Sequence, residues 1–186
     1  MGSSGPLSLQ QTAIASNRPA EAAWCEFFKA SFATPPRGFS FAAIRFPNTV
    51  LFVYSVHLKS NRGQVKTNIA KREEAARQLL THVAEMERLY SASPRIVTII
   101  AGDFNTDPTD PRFATEKTFA LLTEKFSWAW EGVPLPKRVT NPAKGRYPDA
   151  CFDGFLVRGA RNLLCRSMPI QKISDHFPVL LEVDID

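Results

Sequence analysis

Residues 95–105 read RIVTIIAGDFN, an apolar run that passes directly into a glycine, an aspartate and an asparagine. The run is short and rich in Ile and Val, which is typical of a buried strand. Gly102 allows the backbone to turn tightly where the strand ends. Asp103 and Asn105 lie two positions apart, so in extended geometry they share one face while Phe104 points into the core. Such a pair can orient a water and hydrogen-bond a phosphate oxygen, and a simple turn is the alternative.

Two other polar segments follow short apolar runs in the same way. The run 50–56 leads into His57, which is followed by the basic residue Lys59. Near the end of the chain, Asp175 and His176 stand between an isoleucine and a Phe-Pro pair. A core histidine is the alternative interpretation of His57, and a capped turn is the alternative for the later segment. Histidine, carboxylate and amide groups at strand ends can bind a phosphate and hold a hard cation.

Strand and helix patterns alternate in the middle of the chain, with neighbouring strands on either side. Apolar runs predict five strands, at 39–46, 50–56, 95–101, 152–157 and 178–183. Helical patterns predict three helices, at 21–32, 64–90 and 113–126. Five charged residues are assigned to the outer face of the longest helix: Arg72, Glu73, Arg77, Glu85 and Arg88. His82 is assigned to surface or core, and residues 131–150 to a surface loop. A mixed α/β sheet fits this order better than a purely parallel one.

Length and composition indicate one domain with a substantial core. The 186 residues are 44% hydrophobic and 11% aromatic, and the formal net charge is +5. This balance suits a polyanionic partner such as nucleic acid or an anionic lipid head group, while an ordinary basic protein is the alternative. The three cysteines lack disulfide or zinc spacing. No apolar run approaches the roughly 20 residues of a membrane span.

The first residues predict a tag or linker over 1–11 and a domain over 12–186. The opening MGSSG resembles an expression scar and lacks the basic and apolar segments of a signal peptide. Localisation therefore stays open between cytoplasmic and secreted, and the sequence predicts no oligomeric state.

Four segments together carry a specific resemblance: 56–61 (VHLKSN), 101–105 (AGDFN), 152–155 (FDGF) and 174–179 (SDHFPV). In order and spacing they resemble the endonuclease/exonuclease/phosphatase superfamily, the deoxyribonuclease-I-like proteins, over residues 12 to 183. The resemblance implies an α/β (α+β) fold, a four-layer α/β/β/α sandwich. It also implies cleavage of phosphoester bonds with Mg²⁺ or Mn²⁺.

The resemblance carries catalytic roles to five residues. His57 would contact the scissile phosphate and stabilise or protonate the leaving group. Asp103 would align or deprotonate the attacking water, and Asn105 would hydrogen-bond the phosphate. Asp153 would orient His176, which would bind the phosphate and its developing charge.

The resemblance also implies a metal ligand and substrate contacts. Asp175 would ligate Mg²⁺ or Mn²⁺. The predicted substrate-binding residues follow the first histidine or lie in the loop 131–150: Lys59, Asn61, Arg138, Thr140 and Tyr147. The stretch 138–140 resembles one that lines the pocket in relatives. A basic loop that carries Lys144, Arg146 and an aromatic residue can follow a sugar-phosphate backbone, and a solvated loop is the alternative.

Two features depart from the family pattern. Relatives use an Asn near their first strand and a Glu, in a Leu-Gln-Glu motif, as the main metal ligand, and neither motif occurs here. The domain is therefore expected to be N-terminally incomplete, and Asp175 alone would hold Mg²⁺ poorly. Gly154 stands where a His, Arg or Tyr is more usual, and this change is expected to alter only the floor of the pocket.

Three functions fit these residues. The first is a metal-dependent nuclease that hydrolyses phosphodiester bonds. The second is a phosphatase or lipid phosphodiesterase of the same superfamily, because specificity lies in loops rather than in the shared core. The third is a catalytically inactive remnant that binds a phosphorylated partner, which the absent Glu motif favours. Nucleic acid is the predicted partner, with a small phosphorylated substrate as the alternative.

Overall fold

The fold is a mixed sheet with helices on one face and a second β layer on the other. The structure, a computed structural model, describes residues 3–4, 12–145, 147–170 and 174–185. In these residues the elements are β1 (Ser3–Ser4), β2 (Thr12–Ala13), β3 (Ala22–Phe27), β4 (Gly38–Arg45), β5 (Val50–His57), α1 (Val65–Leu89), β6 (Ile96–Asp103), α2 (Thr118–Thr123), β7 (Ser127–Trp128), β8 (Asp153–Arg158), β9 (Arg161–Ser167) and β10 (Val179–Asp184). Short 3₁₀ helices lie at Pro111–Phe113 and Leu135–Lys137. Neither α1 nor α2, the two described α-helices, is long and apolar enough to cross a membrane.

Six strands form the main sheet in the order β3-β4-β5-β6-β8-β7. All neighbours are antiparallel except β5 and β6, which run parallel. A parallel pair needs a long crossover, and α1 supplies it between these two strands. The carboxyl ends of β5 and β6 therefore meet at one edge of the sheet, where β8 begins.

The main core lies between the sheet and its helices. Strand residues with even numbers on β5 and β6 point to this face, among them Phe52, Tyr54 and Ile100, all fully buried. They pack with Leu79 and Val83 of α1 in one cluster. Burying an apolar side chain of this size contributes about 1.5–3 kcal/mol, so this layer supplies most of the driving force for folding.

A second β layer covers the opposite face of the sheet. The hairpin β9–β10 packs Leu163, Leu181 and Val183 against Val97 and Ile99 of the sheet. At the other end, the pair β1–β2 contacts β3, β4 and β5. Helices, main sheet and second β layer are three layers of the predicted sandwich. Within the described ranges no helix covers the outer side of the hairpin.

Predicted and observed strands agree along most of the main sheet. The strands predicted at 39–46, 50–56, 95–101, 152–157 and 178–183 are confirmed to within two residues, and so is the long helix. The helix predicted over 21–32 is wrong. Residues Ala22–Phe27 instead form β3, paired with β4 along its whole length. Pairing with a neighbouring strand outweighs a weak local helical preference.

Other predictions need correction at the level of single elements. The predicted helix 113–126 shortens to Thr118–Thr123, and β9 was not predicted. Arg72 does not lie on the outer face of α1 but is buried against the core. The predicted tag or linker over 1–11 remains a prediction, because only residues 3–4 of it are described.

Candidate active site

Three polar side chains stand in one row across the edge of the main sheet. His57 is the register partner of Asp103 in the parallel pair, and Asp103 is the partner of Asp153 in the antiparallel pair. All three have odd numbers on strands whose odd residues face the second β layer, so their side chains share one face. These residues are up to 96 positions apart in the sequence, and strand pairing alone brings them together.

Gly102 brings β5 and β6 close together beside this row. Its φ is +143°, and a Cβ at this position would lie 1.9 Å from the carbonyl oxygen of Val56. Only glycine fits that approach, so the residue before Asp103 is dictated by the close pairing of the strands. A larger residue would force the strands apart and separate His57 from Asp103.

His176 joins the far end of the row from the C-terminal segment. Its Nδ1 lies 2.7 Å from Oδ2 of Asp153, and its backbone N–H donates to Ser174 Oγ at 3.0 Å. The hydrogen bond to Asp153, aided by the negative charges of Asp153 and Asp103, raises the pKa of His176 to about 9 against the opposing effect of burial. The ring is therefore an imidazolium at neutral pH.

The pKa values of Asp103 and His57 are also shifted from their ordinary values. Burial, and then the neighbouring carboxylate of Asp153, raises the pKa of Asp103. Burial, and then the positive charge of Arg37, lowers the pKa of His57 to about 4. His57 Nε2 lies 3.5 Å from Asp103 Oδ2. At neutral pH His57 is thus a neutral ring beside a carboxyl group that takes up a proton easily.

Asn105 is buried directly behind the row in an uncommon backbone conformation. Its φ is +55°, in the left-handed region that few residues other than glycine adopt. Its N–H donates to Asp103 Oδ1 at 2.8 Å, and its Nδ2 donates to the carbonyl oxygen of Leu58 at 3.2 Å. These bonds fix both the carboxyl group of Asp103 and the amide of Asn105.

One acidic cluster of the described chain can hold a cation. Donor atoms of Asp103, Asp153 and His176 all lie within 4.8 Å of one another. The two carboxylates offer the hard oxygen ligands that Mg²⁺ and Mn²⁺ prefer, and a cation would relieve the repulsion that helps raise the pKa of Asp103. His176 fits this role less well, because its Nδ1 is engaged with Asp153 and the ring is protonated. Asp175, the predicted metal ligand, is exposed and stands outside the cluster.

The predicted substrate-binding residues after His57 are held inside their own loop. Lys59 Nζ donates to the carbonyl oxygens of Ser60 and Arg62, both at 3.1 Å. Asn61 uses its amide twice within the protein, as an acceptor from Arg72 and as a donor to the backbone of Asn105. Both residues shape the loop beside the row, and their contact with substrate stays a prediction.

Two predicted substrate residues of the loop 131–150 are buried, so this loop is only partly a surface loop. Arg138 is 2% exposed, forms an ion pair with Asp107 at 2.9 Å and donates to the backbone of the same loop. Thr140 is fully buried, and its Oγ1 accepts the backbone N–H groups of Phe152 and Asp153. Their burial argues against direct substrate contact. They instead hold the segments that carry the row.

The tip of the same loop is open to solvent. Tyr147 is 60% exposed and forms an isolated backbone bridge with Lys144. Its predicted contact with substrate is compatible with this position and remains a prediction. Arg146 lies outside the described residues.

Gly154 has a different role from the predicted one. A Cβ there would lie 2.5 Å from Trp128 and 2.7 Å from Trp130, on the helix-covered face of the sheet. The glycine therefore makes room for two buried tryptophans rather than altering the pocket floor. Trp130 Nε1 in turn donates to the carbonyl oxygen of Asp153.

Sequence reasoning missed two arginines that support the site. Arg37 Nη1 donates to the carbonyl oxygens of His57 and Leu58, and it follows a Pro-Pro pair that gave no signal of its own. Arg72 was assigned to the wrong face of α1. Its spacing before Ala76 and Leu79 places it on the apolar stripe, and this regularity was the available signal.

Three solved structures share the fold at low sequence identity. Truncated TDP2 from Caenorhabditis elegans gives a TM-score of 0.58 and 16% identity over 87% of this chain and 65% of that one. TDP2 from D. rerio, complexed with single strand DNA product, gives 0.60 and 18% over 89% and 68%. Sphingomyelinase C from Streptomyces griseocarneus gives 0.61 and 15% over 89% and 65%. The chain thus spans 65 to 68% of the length of these proteins, and the expected deoxyribonuclease-I-like fold is confirmed.

Sequence comparison agrees with the fold. A search of curated proteins gives no match. The sequence profile of the Endonuclease/Exonuclease/phosphatase family matches residues 8–176, most of the chain. The chain therefore belongs to the endonuclease/exonuclease/phosphatase family.

Proposed function

We propose that this chain hydrolyses phosphodiester bonds with a divalent cation and that its substrate is nucleic acid. The observation that carries the proposal is the row of His57, Asp103 and Asp153 with His176 bound at its end. The row combines a carboxyl group of raised pKa, a neutral imidazole and a protonated imidazole. Groups whose pKa values are pushed apart in this way can supply a base and an acid at one pH.

Each side chain has a distinct part in such a reaction. Asp103 aligns the attacking water and takes its proton, since the N–H of Asn105 holds its carboxylate in the row beside His57. His176 is held through Nδ1 by Asp153 and offers its charge and its Nε2 proton to the phosphate. Asn105 offers the remaining hydrogen of its Nδ2 to a phosphate oxygen. His57 acts as a neutral hydrogen-bonding group, because its lowered pKa disfavours protonation of a leaving group.

A divalent cation fits beside these groups. The carboxylate oxygens of Asp103 and Asp153 would hold it, and once bound it would neutralise charge on the phosphate.

Nucleic acid is the substrate that charge and loop chemistry favour. The net charge of +5 suits a polyanion, and the exposed Tyr147 beside Lys144 can stack on a base while a cation contacts phosphate. The structural neighbour from D. rerio was crystallised with a single strand DNA product, which supports the same substrate class here.

A lipid phosphodiester is the second candidate. Met168 and Ile170 are exposed just after β9, in the segment that leads towards His176. Exposed apolar side chains near a phosphate site suit a membrane surface. The fold shared with sphingomyelinase C is compatible with this reaction.

A substrate panel separates the candidates. Single-stranded DNA, RNA and sphingomyelin vesicles would each be incubated with the chain in Mg²⁺, Mn²⁺ or EDTA, with His57→Ala as the variant control. We expect cation-dependent cleavage of nucleic acid that His57→Ala loses. Cleavage of sphingomyelin alone would favour the lipid candidate. Phosphate-dependent binding without cleavage of any substrate would identify an inactive remnant and contradict the proposal.

A further inference from the structure

A buried ion pair lies between α1 and the segment before α2, near the edge of the main sheet that carries the row of His57, Asp103 and Asp153. This edge is called the catalytic edge below. The side chains of Arg72 and Glu116 are each 1% exposed, and two hydrogen bonds of 2.7 and 2.5 Å join the guanidinium to both carboxylate oxygens. Thr118 Oγ1 donates to the same carboxylate at 2.6 Å. This two-point geometry fixes the plane of the guanidinium.

The remaining side of the guanidinium points to the loop after β5. Arg72 Nη1 donates to the carbonyl oxygen of Lys59 at 2.8 Å and to Asn61 Oδ1 at 2.9 Å. Asn61 Nδ2 then donates to the carbonyl oxygen of Asn105 at 2.8 Å. A continuous series of hydrogen bonds therefore joins the ion pair to the backbone of Asn105.

Asn105 is the residue that this series reaches. Asparagine adopts a left-handed φ such as its +55° more readily than other residues with a side chain, and the surrounding contacts select this conformation over the ordinary ones. Three groups impose it here: Asp103 binds the N–H, Leu58 binds the side chain, and Asn61 binds the carbonyl. Asn61 is the member of this set that the ion pair orients.

We propose that Arg72, Glu116 and Asn61 form a positioning relay that holds Asn105 in its left-handed conformation at the catalytic edge. A buried ion pair alone contributes little net stability relative to apolar residues of equal volume, so stability alone does not explain the relay. The relay assigns Asn61 to the backbone of Asn105 rather than to substrate. Its kinetic consequence rests on the proposed phosphodiester hydrolysis.

Two substitutions of Asn61 test the link. Asn61→Asp keeps an acceptor for Arg72 but has no N–H for the carbonyl of Asn105, and Asn61→Ala removes both bonds without adding charge. Because small misplacements of reacting groups are costly, we expect kcat to fall roughly tenfold to a hundredfold with KM nearly unchanged. A raised KM with unchanged kcat would make Asn61 a substrate contact and overturn the relay.

The matched control lies on the same helix. Arg77→Gln removes an exposed arginine that pairs only with Glu73 and Glu74 among the ion pairs seen here, and it should leave kcat and KM unchanged. Arg72→Lys keeps the buried charge but loses the two-point geometry, so it should lower kcat as Asn61→Ala does. If Arg72→Lys does not fold, the Asn61 variants still decide the matter.

Hydrogen exchange can test the relay without any measurement of hydrolysis, and it therefore tests the relay independently of the proposed function. In ¹⁵N-labelled protein, exchange of the Asn105 backbone N–H with solvent should be slow in the wild-type chain and in Arg77→Gln, and faster in Asn61→Ala. An inactive wild-type chain would contradict the proposed hydrolysis and leave this measurement intact. Unchanged Asn105 exchange in Asn61→Ala would overturn the relay whatever the activity.

Discussion

The two faces of the main sheet place the same kinds of residue in different surroundings. On the helix-covered face, His82 of α1 lies among aromatic rings, with Nδ1 3.0 Å from the hydroxyl of Tyr54. On the other face, His57 and His176 stand beside carboxylates, with 18% and 26% of their side chains exposed. Burial lowers the pKa of His82, whereas the bond to Asp153 raises the pKa of His176.

The residues on one face of the sheet mainly stabilise the fold, and those on the other face are available for the proposed reaction. The helix-covered face is closed mainly by apolar contacts, and burial outweighs the effect of the Glu26 carboxylate, whose Oε2 lies 3.5 Å from His82 Nε2. The opposite face carries the titratable side chains of the row and His176, at the edge where β5 and β6 end and β8 begins. Substitutions on the first face should therefore change unfolding, and substitutions in the row should change reactivity.

The largest effect is expected from Phe52→Ala on the helix-covered face. Removing a fully buried aromatic ring leaves a cavity, so the free energy of unfolding should fall by about 3–5 kcal/mol. Urea denaturation measures this loss. The rate per folded molecule should stay near the wild-type value, and a selective loss of rate without destabilisation would blur the distinction between the faces.

The next largest effect is expected from Asp103→Asn in the row. Loss of the proposed base should lower the hydrolysis rate roughly 10²- to 10⁴-fold. Stability should be unchanged or higher, because the substitution removes the repulsion from Asp153. Initial rates and a melting curve on the same sample test both parts, and a wild-type rate would remove Asp103 from the mechanism.

His82 and His176, which lie on opposite faces, should respond to pH in opposite directions. The pKa of His82 is lowered from 6.5, so its stabilising contribution is present above about pH 6.5 and lost as pH falls through the folded value. The pKa of His176 is raised to about 9, so its contribution is present below about pH 6.5 and lost as pH rises through 9. Urea denaturation in EDTA at pH 5, 7 and 9 should show His82→Gln flattening the acid side and His176→Gln the alkaline side. The reverse assignment would contradict these environments.

The smallest effect is expected from Tyr147→Ala, away from both faces. Loss of one stacking ring should weaken binding of single-stranded DNA by about 1 kcal/mol, the low end for base–aromatic stacking. Fluorescence anisotropy with a labelled oligonucleotide measures it, with Leu89→Ala as an exposed apolar control on α1. Equal affinities for Tyr147→Ala and wild type would show that this loop does not contact the strand.

The features predicted correctly from the sequence are those that depend on local patterns of apolar and polar residues. Apolar runs located the strands of the main sheet, and the polar residues at their ends indicated His57 and Asp103, whereas Asp153 was predicted from the family resemblance. The helix predicted over 21–32 failed because pairing with β4 outweighs the weak helical preference of this segment. Strand β9 was missed because its exposed face mixes charge and leucine without clear alternation.

The support behind the site was harder to predict because its contacts are distant in sequence. Arg72 meets Glu116 across 44 positions, and Arg138 meets Asp107 across 31. The spacing of Arg72 indicated that it is buried, but only the fold shows that these charges are buried in pairs. The burial of Arg138 also argues against its predicted contact with substrate.

Asp153→Asn tests the central claim most directly, because it keeps the shape of the side chain and removes the charge that holds His176 and that would help to hold the cation. The pKa of His176, measured by NMR, should fall from about 9 towards its ordinary value. Cation-dependent hydrolysis of DNA should fall with it, and the stabilising contribution of His176 at neutral pH should be lost as well. A variant with a wild-type hydrolysis rate despite the lowered pKa would contradict the account of this edge as a phosphodiesterase site.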